Sequence, residues 1–166
     1  MDAGKIYYFN SSGNWALTDA DAEATADGLL EIGFGMGISA GYIQSHSINS
    51  HTIIENHPDV IPKAQAWASG KPNVTIVTGS WYDVKNELST YDGLFYDTWG
   101  DDNMDQFSSS LSSLMKVGGV TTWWNNEPSS TNVYNIPNVT YDIHNVTPTE
   151  NCYFNNTLYY LPKCQH

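Results

Sequence analysis

Leu29-Leu30-Glu31-Ile32-Gly33-Phe34-Gly35-Met36-Gly37-Ile38 is the stretch that sets the fold. An apolar run closing on an acid breaks into three glycines at alternate positions. This is the pattern of a buried strand that ends in a tight loop and opens a helix. Glycine carries no Cβ, so the loop backbone can approach a ligand closely.

Working outward, apolar β-branched runs recur at residues 51–55 (HTIIE), 74–77 (VTIV), 91–96 (YDGLFY) and 120–124 (VTTWW). Helical segments are expected between them. One covers residues 37–45, and the next has Pro58 in its first turn and carries Val60, Ala64 and Trp67. A brief one covers residues 83–88. A longer one over 104–116 carries Met104, Phe107, Leu111, Leu114 and Met115, and Gly118-Gly119 ends it. Upstream lie an apolar patch at 6–9, a Ser/Gly/Asn turn cluster, and a capping-box pattern (Thr18, Asp21) before an Ala-rich helix ending near Gly28. Residues 139–146 and 157–161 read as two further strands with no helix between them.

Alternating strands and helices build a mostly parallel, Rossmann-like α/β sheet with helices on both faces. The strand-only tail adds an antiparallel edge hairpin, and residues 1–166 are expected to form a single domain. Ligands of such sheets bind outside the carboxyl ends of the strands. Those ends are residues 33–37, 55–56, 79–81, 97–99 and 125–127.

Charge narrows the partners. Eighteen acidic against six basic residues give a net charge of −12, and every basic residue is Lys. This surface repels nucleic-acid backbones and anionic membranes, and without Arg it has no bidentate fork for phosphate or carboxylate. It suits a cationic partner, or serves solubility alone. The N-terminus has no basic segment followed by an apolar one, and no run is long enough to cross a bilayer, so a cytoplasmic protein is expected. Asn10, Asn73, Asn138, Asn145 and Asn155 begin glycosylation sequons that mean little without export. Cys152 and Cys164 could pair, but a cytoplasmic setting favours two free thiols. His46, His51 and His57 lack ligand spacing, so no metal site is expected.

The loop discriminates among cofactors. A dinucleotide fingerprint would place its third glycine at residue 38, which is Ile, and glycines here follow G-x-G-x-G. Glu31 beside the loop suits a ligand with a cationic amino group better than a diphosphate. Glu55 closes the second strand, where its two oxygens can accept both ribose hydroxyls or simply cap the next helix.

These segments together resemble successive motifs of S-adenosylmethionine-dependent methyltransferases: LLEIGFGMGISA, HTIIENHPDV, KPNVTIVTGSWYDV, YDGLFYDTW and MKVGGVTTWWN. More narrowly they are similar to the guanidino N-methyltransferase group, which comprises guanidinoacetate methyltransferases and enzymes that modify the internal guanidino nitrogen of arginine. The likeness covers residues 28–125 and, more loosely, 150–164.

The resemblance implies roles for particular residues. Glu31, Gly33, Phe34, Gly35, Met36 and Gly37 would hold the methionine portion of S-adenosylmethionine. Glu55 and Asn56 would sit at the ribose, and Gly79, Ser80 and Trp81 at the adenine. Trp81 also reads as a core residue beside Val84. Asp97 would grip and deprotonate the acceptor, walled by Thr98, Trp99 and Asn126. The acceptor would be a guanidino or amine nitrogen of a small molecule or a protein arginine. Two features depart from the group. Residues 1–27 do not match its N-terminal lid, and residues 125–138 read as loop where a helix is usual. A reduced lid and six tryptophans leave room for a homodimer. A binding protein or cofactor-consuming enzyme without a methyl acceptor, and a nicotinamide-dependent oxidoreductase, are the alternatives to a methyltransferase.

Overall fold

The computed structural model describes residues 7–9, 15–17, 28–98, 100–148, 150 and 154–166, with side chains from residue 28 onward. Its strands in chain order are β1 (Tyr7–Phe9), β2 (Trp15–Leu17), β3 (Leu29–Ile32), β4 (His51–Glu55), β5 (Val74–Thr78), β6 (Tyr91–Tyr96), β7 (Met115–Trp123), β8 (Thr140–Asn145) and β9 (Leu158–Gln165). The helices are α1 (Ile38–Gln44), α2 (Ile61–Ala68), α3 (Trp81–Val84) and α4 (Phe107–Leu114).

β3 lies at the centre with all four residues buried. A parallel strand covered on both faces buries both sets of side chains, so its sequence is a run rather than an alternation. β4 flanks it on one side, pairing His51 with Leu29, and β6 on the other, pairing Gly93 with Leu29. The full order is β5-β4-β3-β6-β7-β9-β8, with β9 antiparallel to both β7 and β8. β1 and β2 form a separate antiparallel pair. The chain leaves β3 toward β4 and β5, then returns to the other side of β3 as β6. The order therefore reverses between β3 and β6, and a crevice opens at their carboxyl ends.

Pleating divides the core. Ile53 joins Phe34, Ala40 and Ala64 on the face under α1 and α2, whereas Ile54 joins Trp81, Tyr96, Phe107 and Trp123 on the face under α3 and α4. Among the described residues, no helix is long and apolar enough to cross a membrane.

Several boundaries differ from the sequence expectation. Pro58 falls in the turn before α2, and Pro62 occupies the first helical turn, where a missing N–H costs nothing. The helix expected over 104–116 is a 3-10 turn (Met104–Gln106) followed by α4, and Met115 is already extended. Gly118-Gly119 lies inside β7 rather than at a helix end. Tyr91 pairs with Met115 and Gly93 with Val120, so residues 116–119 bulge out of register. A Cβ on Gly119 would stand 3.0 Å from the Asp92 carbonyl oxygen, which explains the glycine without a helix terminus. The brief helix starts earlier, at Trp81, where Ser80 Oγ accepts from the Tyr82 N–H at 3.3 Å. The Ala-rich helix expected before Gly28 and Cys152 lie outside the described residues. Cys164 is a buried free thiol that donates to the Pro137 carbonyl, and burial pushes its pKa up.

Residues 125–138 hold no helix, and asparagines order them. Asn125 is buried. Its N–H donates to the Tyr159 hydroxyl, its Nδ2 to the carbonyls of Ser129 and Tyr160, and its Oδ1 accepts from Glu127. Asn132 spans the later turn, bonding both backbone groups of Ile136.

Candidate active site

Two strand ends meet at Gly33. Its N–H donates to the Ile54 carbonyl at 2.9 Å, and the Asp97 N–H donates to the Ile32 carbonyl at 2.9 Å. Gly33 has φ +96°, and a Cβ there would collide with the Asp97 carbonyl oxygen. Gly37 (φ +72°) is constrained by a different neighbour, the Phe34 ring, 2.6 Å from where its Cβ would be. Phe34 turns inward onto Trp67, with ring centroids 5.5 Å apart, while Met36 at the loop tip is 87% exposed. Gly35 (φ +53°) faces open space.

Glu55 holds the loop from the side. Its Oε2 accepts from the N–H groups of Phe34 (2.9 Å) and Gly35 (3.3 Å), and its Oε1 from those of Asn56 (2.9 Å) and His57 (2.8 Å). It therefore caps the turn that follows β4 and the glycine loop at once. Glu31 sits beneath the loop, wholly buried, accepting from Ser39 Oγ and standing 2.9 Å from His51 Nε2.

Trp81 is 2% exposed and edge-on to Tyr82, Tyr96 and Phe107. Its indole N–H donates to Asp101 Oδ2, which also accepts from the Tyr96 hydroxyl at 3.0 Å. Asp101 Oδ1 takes the Asn103 N–H at 2.8 Å. Asp101 thus closes its own turn with one oxygen and anchors two aromatic side chains with the other.

Three concavities surround this framework. One of about 350 Å³ runs from Phe34 and Ser39 over Phe95 to Trp124 and Tyr159. A second, about 460 Å³, runs from the loop past Glu55, Asn56 and Gly79 to Trp81 and Asp101. Gly33, Gly35, Met36 and Asp97 line both. A third, about 520 Å³, is reached past Thr98 and includes Asn126, Glu127 and Tyr134.

Asp97 is solvent-exposed and lines both of the first two cavities. Burial first, and then the charge of Glu31, push it up to about 6. Tyr134 is pushed up to about 12 by burial and by the neighbouring Asp101 and Asp97. Burial also raises Tyr96.

The second cavity brings together Gly33, Gly35, Met36, Glu55, Asn56, Gly79, Trp81, Asp97 and Thr98 of the residues singled out in the sequence. Phe34 reaches only the first cavity and Asn126 only the third. Glu31, Gly37 and Ser80 shape the surroundings without lining any of the three cavities, and Trp99 lies outside the described residues. Sequence reasoning missed Asp101 as an anchor, Tyr134 and His51. Among the described residues, no three His, Cys, Asp or Glu side chains cluster so as to hold a metal ion.

The sequence profile of the guanidinoacetate N-methyltransferase family matches residues 14–135. The chain belongs to this family. The matched span takes in the glycine loop, Glu55, Trp81, Asp97 and Tyr134 and stops short of β8. Similar proteins include a protein arginine N-methyltransferase 2 of Yarrowia lipolytica, 34% identical over 122 residues, covering 69% of this chain and 26% of that protein. The protein of that name from Saccharomyces cerevisiae is 37% identical over 115 residues, covering 63% of this chain and 28% of that one. This family member thus spans about a quarter of the length of the curated relatives it matches.

Solved structures share its fold. Aeropyrum pernix fibrillarin with natively bound S-adenosyl-L-methionine superposes with a TM-score of 0.62 at 13% identity, over 84% of this chain and 66% of that one. Precorrin-6y C5,15-methyltransferase of Geobacter metallireducens also gives 0.62, at 15% identity, over 83% and 79%.

Proposed function

We propose that residues 1–166 act as one S-adenosylmethionine-dependent N-methyltransferase domain, cytoplasmic, whose acceptor is a guanidino or amine nitrogen of a small molecule or a protein arginine. The carrying observation is Asp97: a carboxyl at the end of β6, shared by two cavities, and pushed by burial and the charge of Glu31 up to about 6.

The residues present fit the cofactor. Gly35 leaves open backbone facing the second cavity, whose acidic lining of Glu55, Asp97 and Asp101 suits a cationic ligand and disfavours a diphosphate. The 33–37 loop would hold the methionine portion and Gly79 with the Trp81 edge the adenine; Asn56 would meet the ribose, with Glu55 turning to it on exchanging some of its four backbone N–H partners for ribose hydroxyls. When bound, S-adenosylmethionine supplies an electrophilic methyl group on a sulfonium.

Asp97 supplies what the acceptor needs. A guanidinium nitrogen is a poor nucleophile because its lone pair is delocalised and the group stays protonated. An ionised Asp97 accepts its N–H groups, orients one nitrogen, and takes up the proton as the new bond forms. Strand ends hold the carboxylate in place, since its backbone is bonded to Ile32 and packed on Gly33.

Asp97→Asn keeps the shape and removes the proton acceptor. Transfer of labelled methyl to acceptors in a cell extract is expected to fall ~100-fold or more. Calorimetric affinity for S-adenosylhomocysteine should stay within about threefold, because one pocket-wall oxygen is exchanged for an amide. Loss of both together would make Asp97 a structural residue. Label moving to no acceptor with the parent chain would leave only cofactor binding.

A further inference from the structure

The third cavity, about 520 Å³, has the size of a small-molecule site, and the cofactor reading does not use it. It shares Thr98 and Gly100 with the second cavity and Trp124 with the first, so it adjoins Asp97 through the next residue in the chain. Tyr134 lines it, held by edge contacts to Tyr96, Phe107 and Trp123 with ring centroids 5.5 to 5.7 Å apart. The charges of Asp101 and Asp97 both reach the Tyr134 hydroxyl. Two carboxylates, Asp105 and Glu127, face the same space. Asp105 Oδ2 accepts from Gln106 Nε2 at 3.0 Å. The Glu127 N–H donates to Asn125 Oδ1 and so fixes its turn through the backbone. Among the described residues its carboxylate meets no donor or cation.

Positive charge is kept away from this crevice. The chain has no arginine, and among the described residues no lysine lines any of the three cavities. Lys71 lies over the Trp67 ring and Lys85 over that of Tyr82, while Lys116 pairs with Asp92 and Lys163 with Asp142. An acceptor with a carboxylate tail would find no counter-charge among these residues and would meet Asp105 and Glu127 instead. An ammonium tail finds two carboxylates and aromatic walls, the combination that holds a cation.

We propose that the acceptor is a small dication: one nitrogen is methylated at Asp97, and a second cationic group on the same short chain sits in the third cavity against Glu127, Asp105 and the rings of Tyr134 and Trp124. The inference rests on the reading of Asp97 as the group that orients the acceptor, and it names the substrate class that reading leaves open. The first cavity does not offer the same. Among the described residues lining it, Asp97 alone is charged, so a neutral alkyl tail would settle there.

Guanidines that differ only in their tail test this: aminobutylguanidine, butylguanidine and guanidinobutanoate, with their shorter and longer homologues and the corresponding amines. Calorimetry on the full chain with S-adenosylhomocysteine present should show the amine-tailed compound binding ~10-fold tighter than the alkyl one at its best spacer, and the carboxylate-tailed one weakest. Values of kcat/KM for methyl transfer should follow the same order. Glu127→Gln combined with Asp105→Asn should shrink the amine-over-alkyl ratio to about twofold or less, a ratio that loss of folded protein alone does not move. Equal or reversed preference in the parent overturns the inference, as does a ratio that survives both substitutions. Label passing to protein arginine while no small dication binds overturns it too. A chain that prefers the dication in calorimetry but transfers no methyl refutes the proposed function instead, and the second-cation site still stands.

Discussion

Gly33 and Gly35 are two residues apart in one loop, yet side chains there should have very different effects. A Cβ on Gly33 would strike the Asp97 carbonyl and force β3 and β6 apart, whereas a Cβ on Gly35 meets nothing within 4 Å. Gly35→Ala should cost only the left-handed backbone penalty, about 1–2 kcal/mol. Gly33→Ala adds a clash against backbone that cannot yield, so a loss of at least ~3 kcal/mol in denaturant melts is expected. Equal losses in the two variants would mean that the strand ends do not cross as described. Asp97 carries a pH signature. Its folded-state pKa of about 6 lies above the ordinary 3.8, so the folded protein favours the protonated form. The ionised carboxylate costs stability progressively as pH rises from 3.8 through 6, and the cost is complete above that. Asp97→Asn should therefore raise the melting temperature relative to the parent at pH 8 and lose that advantage near pH 4. Methyl transfer by the parent should run the other way, with kcat/KM rising through about pH 6 as Asp97 ionises.

At the scale of elements, the site is built where β3 and β6 end, and a turn keeps it in shape. Asp101 joins that turn to α3 through Trp81 and to β6 through Tyr96. Asp101→Asn leaves one acceptor oxygen where three donors converge, so a buried N–H or O–H is left unpaired. A stability loss of about 1–3 kcal/mol is expected, together with a shift in tryptophan emission as the Trp81 environment loosens. If emission and melting are both unchanged, Asp101 caps its own turn and nothing more. The bulge in β7 belongs to the same scale. Residues 116–119 loop out so that Val120 to Trp123 can align with β6, which places Thr121 and Thr122 against the last strand. Sequence alone reads the Gly pair as a helix terminus, because a glycine needed for left-handed backbone looks the same in either setting.

Across the whole molecule, charge and openness act together. The net charge is −12 with no arginine, and the crevice adds Glu55, Asp97 and Asp101 to that field. A cationic acceptor should be drawn in by long-range attraction, so its kcat/KM should fall several-fold between about 20 and 200 mM salt. A neutral amine acceptor should show little change, and equal salt dependence for both would remove electrostatic steering from the proposal. β9 inserts between β7 and β8, so the end of the described chain lies inside the sheet and β8 forms its edge. Tyr159 reaches Asn125 across that junction, which makes the tail part of the site's wall.

The sequence by itself determined the mostly parallel sheet, its antiparallel tail, and the crevice that holds the glycine loop. Those follow from local patterns: β-branched runs, glycines at fixed spacing, and acids at strand ends. It marked Gly33, Glu55 and Asp97 because each stands at a position the topology makes functional. Only the tertiary structure decided what those residues touch. Glu31, read as a ligand-facing acid, turns under the loop to His51, because one register step sets which face of β3 it occupies. Asp101, which no sequence pattern singles out, becomes an anchor because Trp81 and Tyr96 arrive on the same oxygen. Contacts between residues far apart in the chain depend on register and packing, which no local spacing encodes.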